Sequence, residues 1–229
     1  VDPDRWDADR PPGVPEFGDD AVMTDDARNQ PARTLEEQLA ETWDQLARAV
    51  RDGKHEWHLP VVSTVGLDGS PEARTVVLRG VDPVDRFLVF NTDRRSRKPN
   101  ELRADGRMAW TFYERRDRVQ LRVSGPTTIH ADDEIADRAW QATALSSRRC
   151  YMAPHAPTSR LEAWDPNLPE GLSASSPDQA ASELGRANFM TVRTRIDRLE
   201  RLELHHDGHL RALWQWNDDG MVDLSWLAP

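Results

Sequence analysis

Two basic segments, separated by a short apolar stretch, hold the side chains with the clearest chemical potential. One is Arg74-Thr75-Val76-Val77-Leu78-Arg79 and the other is Asn91-Thr92-Asp93-Arg94-Arg95-Ser96-Arg97-Lys98. Between them Phe87-Leu88-Val89-Phe90 reads as a strand, and Pro99 to Ala104 reads as a short helix. Cations at a helix start oppose the macrodipole unless an anion joins them. A phosphate held by the helix-start amides, Ser96, Arg97 and Lys98 removes that conflict. A planar guanidinium beside an ammonium is a sound clamp for its oxygens. Thr92, at the end of its strand, adds a hydroxyl or an amide. The alternative is a solvated basic turn. Arg94 and Arg95 precede the helix start and are expected to be solvated.

Gln120 lies in an alternating strand, Val119 to Val123, where a half-buried amide needs a partner. That partner is a ligand or a cross-strand group. Arg211 follows a turn and enters an aromatic strand, Leu213 to Trp216, with a surface ion pair as its alternative. His205, His206 and His209 flank a hairpin turn without a further ligand at suitable spacing, so no metal site is expected. His55 and His58 lie beyond Gly53 and read as surface groups. Cys150 is the only cysteine, which excludes an internal disulfide framework and suggests a buried or inert thiol. The tryptophans read as core and interface filler.

The 229 residues suffice for one large domain or two small ones. With 38% hydrophobic and 31% charged residues, the chain suits a soluble globular protein with a wet surface. The net charge of −10 disfavours non-specific attraction to nucleic acid or to an anionic membrane. A basic cluster in an acidic chain is therefore better explained by a local anionic ligand than by a polyanion. No window is apolar enough to span a bilayer and no signal pattern opens the chain, so a cytoplasmic location is the expectation.

The positioning elements follow from periodicity and turn chemistry. Residues 1–33, rich in Asp, Pro and Arg, read as a tail that is flexible or extended on a partner. Thr34-Leu35-Glu36-Glu37 is a capping box that opens a helix to about Val50, with Leu35, Leu39, Trp43, Leu46 and Val50 on one face. Strands are expected at Leu59–Gly66, Glu72–Gly80, Phe87–Thr92, Arg107–Tyr113 and Arg118–His130, with Asp68-Gly69 as a hairpin turn. A helix follows over Asp132–Ala144, with Ile135, Ala139 and Trp140 inward. The proline-rich stretch Ser146–Ser176 reads as a functional or dimer-wrapping loop, and a helical turn is expected within 177–186. The last strands are Asn188–Thr194, Leu199–Leu204, Leu210–Trp216 and Met221–Leu227, with turns at Asp207-Gly208 and Asp218-Asp219-Gly220. Short strands, tight turns and few helices indicate a mainly β fold with peripheral α, an antiparallel barrel rather than βαβ units.

The segment from Arg74 to Gly125 resembles the pyridoxamine 5′-phosphate oxidase-like FMN-binding split-barrel family. The residues that carry the resemblance are Arg74 to Arg79, Ser96-Arg97-Lys98, and Gln120 leading to Gly125. Leu199-Glu200, His209 with Arg211, and the closing Trp226-Leu227-Ala228-Pro229 extend it from about residue 34 to 229. The chain is most similar to an oxidase-related FMN-binding branch rather than to the vitamin-B6 enzyme itself. The resemblance implies a single split-barrel domain over 34–229 and a homodimer with FMN at the subunit interface. It places Arg74, Ser96, Arg97 and Lys98 at the FMN phosphate, with Thr92 beside them. The strand Arg74-Thr75-Val76-Val77-Leu78-Arg79 would run along the isoalloxazine ring, with main-chain groups of Val76 to Leu78 meeting it. Strand alternation puts Arg74 and Arg79 on opposite faces, so Arg74 is the stronger ligand candidate. Gln120 would meet the polar edge of the ring and Arg211 would reach FMN from the second subunit.

The departures from the B6 enzyme are on the substrate side. His209 matches its substrate histidine, but Asp207 stands where that enzyme has an arginine. Leu202 replaces a tryptophan and Arg79 a lysine. An anion beside a substrate phosphate is repulsive. The expected function is thus an FMN-dependent oxidoreductase acting on an unidentified small substrate, with pyridoxine 5′-phosphate disfavoured by Asp207 and with His209 as the substrate-side candidate. The alternatives are a non-catalytic flavin-binding protein for storage or sensing, and a split barrel that takes another phosphorylated ligand.

Overall fold

A computed structural model describes residues 33–169, 171–172 and 176–229. The expected tail over 1–33 therefore lies almost wholly outside the described residues. Leu35–Pro229 forms one compact unit. Leu35–Arg51 is a helix (α1), followed by strands Val61–Val65 (β1), Pro71–Thr75 (β2), Gly80–Asp82 (β3) and Phe87–Asp93 (β4). Lys98–Ala104 is a helix (α2), then come strands Arg107–Glu114 (β5) and Val119–His130 (β6), and helix Glu134–Ala142 (α3). Leu145–Arg148 and Gln179–Ser182 are single helical turns. Phe189–Arg195 (β7), Arg198–Glu203 (β8), Leu210–Asn217 (β9) and Gly220–Leu227 (β10) complete the chain.

All pairings are antiparallel. One path runs β10-β9-β8-β6-β5-β1-β2, and a second layer runs β3-β4-β7 and returns to β6. The sheet does not close, which is the split barrel. Strand β6 joins the layers: Val119 to Ser124 pair with β8, and Thr127 to His130 pair with β7. The hinge between the two halves is Gly125, where a Cβ would sit 1.8 Å from the Arg195 carbonyl oxygen. Only glycine admits that approach.

The apolar faces of both layers meet over Trp57, Leu78, Phe90, Trp110, Leu121 and Trp214, all buried. The hairpins form where the Asp-Gly turns predict them, with Gly69, Gly208 and Gly220 at positive φ. Three expectations are corrected. The strand expected over Glu72–Gly80 is broken at residues 76–79, because the chain leaves β1 there to join β4. Val76 N–H donates to Pro60 O and Leu78 N–H to His58 O, whereas Arg79 N–H donates to Val89 O. The deepest residues of α1 include Gln38, Thr42 and Gln45, and of the expected stripe only Leu46 is fully buried. The cause is Arg201, 2% exposed at the barrel end. Its guanidinium donates to Thr42 Oγ1 (3.1 Å), Gln45 Oε1 (3.3 Å) and Glu203 Oε1 (2.8 Å), so a polar helix face satisfies a buried cation. Cys150 is exposed rather than buried. Among the described residues, no helix is long and apolar enough to cross a membrane.

Candidate functional site

Strand β4 delivers Thr92 and Asp93 to the turn that opens α2. Asp93 shapes this turn: its carboxylate accepts from Arg95 N–H (2.8 Å), and its carbonyl from Ser96 N–H (3.1 Å). Arg95 is not solvated as expected. Its guanidinium grips the Asp93 carboxylate (2.7 Å) and donates to Ala153 O (2.9 Å), tying the turn to the segment after α3. Arg94 pairs with Asp132 at 2.8 Å. Two of the four cations in the run are thus committed to protein carboxylates.

Arg97 and Lys98 are the other two. Among the described residues, neither side chain makes a hydrogen bond or ion pair. The Lys98 ammonium is half-buried. Burial pushes its pKa down and the charge of Arg74 adds to this, against the opposing pull of Glu101 and Asp93. Beside them Ser96 and Thr92 are buried, with their hydroxyl oxygens 3.3 Å apart. Two hydroxyls bonded to each other use one of their two hydrogens, leaving the other to donate outward. Helix α2 has seven residues and Pro99 contributes no N–H, so side chains supply more of this donor set than helix amides do.

Arg74, on the edge strand β2, points to the same place. Its Nη2 donates to Glu101 Oε2 at 2.6 Å and its Nη1 to Thr64 Oγ1. The Thr64 hydroxyl donates to the same Glu101 oxygen at 2.7 Å. Thr75 and Arg79 are exposed and Val76 and Leu78 are buried, so Arg74 and Arg79 do not share a side of the chain. The amides of Val76, Leu78 and Arg79 are spent within the fold. Val77 N–H has no partner among the described residues and is the amide of this segment available to a ligand. Arg79 lies near the Tyr151 phenol, whose pKa is pushed up chiefly by burial, with Arg79 opposing.

Gln120 and Arg211 are elsewhere, on the outward face of the sheet. The register sets Tyr113, Gln120, Leu202, Arg211 and Leu227 in one row across β5, β6, β8, β9 and β10. The Arg211 guanidinium donates to Glu200 Oε1 at 2.6 Å and 3.1 Å, while Arg198 and Arg122 reach the same carboxylate at 3.0 Å and 3.4 Å. Glu200 is 4% exposed. Burial pushes its pKa up, but the bonds from Arg211 and Arg198 and the charge of Arg122 outweigh this and hold it below the usual range. His209 is exposed on the β8–β9 turn, where its Nδ1 accepts from His205 N–H (3.2 Å). Among the described residues, no group of His, Cys, Asp and Glu is arranged to hold a metal.

A cavity of about 360 Å³ flanks α2, lined by Gly66, Leu67, Asp68, Glu72, Arg97, Asn100 and Glu101. Its three carboxylates outnumber Arg97, so this cavity does not attract an anion. The sequence assigns no role to Glu101, Thr64 or Asp93, and marks Glu200 only as part of the Leu199-Glu200 motif. Glu101 stands three residues after Lys98, a helical spacing that could have flagged it.

Residues 40–131 match the family model described as pyridoxamine 5′-phosphate oxidase, FMN-binding domain. This domain is an FMN-binding one. A pyridoxine/pyridoxamine 5′-phosphate oxidase of Roseobacter denitrificans is 37% identical over 110 residues, covering 48% of this chain and 52% of the relative. Pyridoxine/pyridoxamine 5′-phosphate oxidase 2 of Arabidopsis thaliana is 34% identical over 124 residues, covering 49% and 62%. The chain spans about half the length of the curated relatives it matches. Among solved structures, a pyridoxamine 5′-phosphate oxidase-related, FMN binding protein of Nostoc punctiforme shares the fold. Its TM-score is 0.65 at 21% identity, over 82% of this chain and 96% of that one. PhzG of Burkholderia lata, solved with tetrahydrophenazine-1-carboxylic acid, has a TM-score of 0.58 at 19% identity, over 91% and 98%.

Proposed function

We propose that this chain, which belongs to the pyridoxamine 5′-phosphate oxidase FMN-binding family through residues 40–131, is an FMN-dependent oxidoreductase acting on a small organic molecule. The observation that carries the reading is the division of labour among the basic residues. Arg94 and Arg95 are held by carboxylates, whereas Arg97 and Lys98, beside a buried hydroxyl pair, form no ion pair among the described residues. Arg97 is exposed, but a wholly solvated basic turn would not half-bury Lys98 beside it. This donor set fits a phosphomonoester, because every group in it donates and neither Arg97 nor Lys98 is ion-paired among the described residues.

In this reading Ser96, Arg97, Lys98 and Arg74 hold the FMN phosphate, and Thr92 supports Ser96. Val77 N–H and the outer side of the Thr75 to Arg79 segment face the ring. Gln120 and Arg211 belong to the row that a second copy of the chain brings to the same flavin. The exposed Val61 and Tyr113 on that sheet face favour such a homodimer. Bound FMN supplies hydride acceptance. The side chains orient it, and a cation such as Arg211 near the ring stabilises its reduced anionic form. His209, two residues before Arg211 at the end of the β8–β9 turn, is the substrate-facing candidate. Asp207 beside it disfavours an anionic substrate group, which argues against a phosphorylated B6 vitamer.

The test is the double variant Arg97→Ala, Lys98→Ala. Two charge-assisted bonds are lost, so FMN affinity should fall about a hundredfold or more, while riboflavin affinity stays the same. An unchanged FMN affinity would overturn the phosphate assignment. Anaerobic reduction of the bound flavin by candidate donors, including pyridoxine 5′-phosphate, then separates turnover from storage.

A further inference from the structure

We infer that Glu101 and Thr64 are positioning residues for the phosphate site, holding the Arg74 guanidinium in one pose beside Lys98; the inference rests on the FMN reading above. The geometry is a closed triangle. Arg74 donates from Nη2 to Glu101 and from Nη1 to Thr64, and Thr64 donates to the Glu101 oxygen that Arg74 also uses. Glu101 is 2% exposed and Thr64 is buried, so the anchor is rigid while the arginine is partly open.

Two consequences follow from elementary chemistry. An arginine on an edge strand otherwise spreads over many rotamers, and ordering it on binding costs affinity. The triangle does that ordering in advance. It uses two of the five guanidinium N–H donors and leaves the remainder for a ligand. Glu101 also sets the charge. Of the three cations Arg74, Arg97 and Lys98, Glu101 pairs with Arg74 and leaves the other two without an ion pair among the described residues, since Asp93 is already matched by Arg95. A phosphomonoester carries about −1.5 to −2 near neutral pH. Without Glu101, the repulsion between Lys98 and Arg74 would lose the stronger of the two carboxylates that oppose it. The anchor joins β1, β2 and α2.

The test uses charge-conserving changes in the full chain, with FMN and riboflavin as probes. Thr64→Val removes the bridging hydroxyl, and Glu101→Asp shortens the anchor by one methylene. Each should weaken FMN about tenfold, near the worth of one charge-assisted bond, and leave riboflavin within about twofold. Thr64→Ser should bind FMN like the wild type. If Thr64→Val and Glu101→Asp are folded and bind FMN as tightly as wild type, while Arg97→Ala, Lys98→Ala does not, the positioning role is wrong and the phosphate site stands. If all three bind FMN normally, the phosphate reading falls and the positioning role with it. Equal losses for FMN and riboflavin would mean general damage rather than positioning, and would also overturn the inference. Should one variant fail to fold, the other decides.

Discussion

Glu200→Gln keeps the shape of the side chain and removes the anion on which three guanidiniums converge. Arg211, Arg198 and Arg122 all converge on this carboxylate, which is itself almost fully buried. Removing one partner of a fully buried ion pair costs about 3–5 kcal/mol. Here the arginine side chains remain 58%, 41% and 28% exposed for Arg122, Arg198 and Arg211, so water screens much of the loss. The expected destabilisation is about 1–3 kcal/mol, in the range of one charge-assisted hydrogen bond. The pH dependence gives the sharper check. A carboxyl whose folded pKa is depressed contributes stability that is full above its unfolded pKa, about 4.3, and is lost as pH falls through the lower folded value. The wild type should therefore lead the variant by its full margin at neutral pH and lose that lead on acidification. Urea unfolding followed by tryptophan fluorescence reads this, since Trp57, Trp110 and Trp214 are all buried. Equal stabilities at neutral pH, or a gap that widens with acid, would refute the assigned role of Glu200.

Gly125→Ala should be among the most damaging substitutions in the chain. Its Cβ would meet Arg195 O at 1.8 Å against an ordinary C···O contact of about 3.3 Å, so the β6–β7 junction must open. A loss of about 3 kcal/mol or insoluble expression is expected in denaturant titration. If Lys98 meets the FMN phosphate, FMN affinity should depend on pH. An anion beside it favours the ammonium, so affinity is full below the depressed pKa of the free protein and declines as pH rises through the higher value of the complex. Titrations from neutral pH upward should show that decline in the wild type and a flat profile in Lys98→Ala.

Local chemistry explains which parts of this architecture can be read from residues alone. Gly69, Gly208 and Gly220 mark hairpins because an Asp-Gly turn is settled within four residues. The β4 to α2 passage is legible for the same reason: alternation, a polar turn and a proline near the helix start are adjacent in the chain. Distant partners are not legible. The polar face of α1 makes sense only with Arg201, which lies more than a hundred residues away and enters the barrel end. The break between β2 and β3 follows from the path between two layers, not from anything in residues 76–79. Arg94 and Arg95 look like Arg97 to composition, and only the fold brings Asp132 to one and Ala153 to the other. Gln120 and Arg211 share a row because β8 intervenes between their strands, a pairing no local signal specifies.

The central claim is that this corner of the split barrel reads the phosphate of a flavin mononucleotide. Parallel equilibrium titrations of the purified chain with FMN and with riboflavin, followed by flavin fluorescence, test it most directly. Saturable FMN binding, tighter than riboflavin by about two orders of magnitude or more, is the predicted result. Equal affinity for the two flavins, or no saturable binding of FMN, would contradict it.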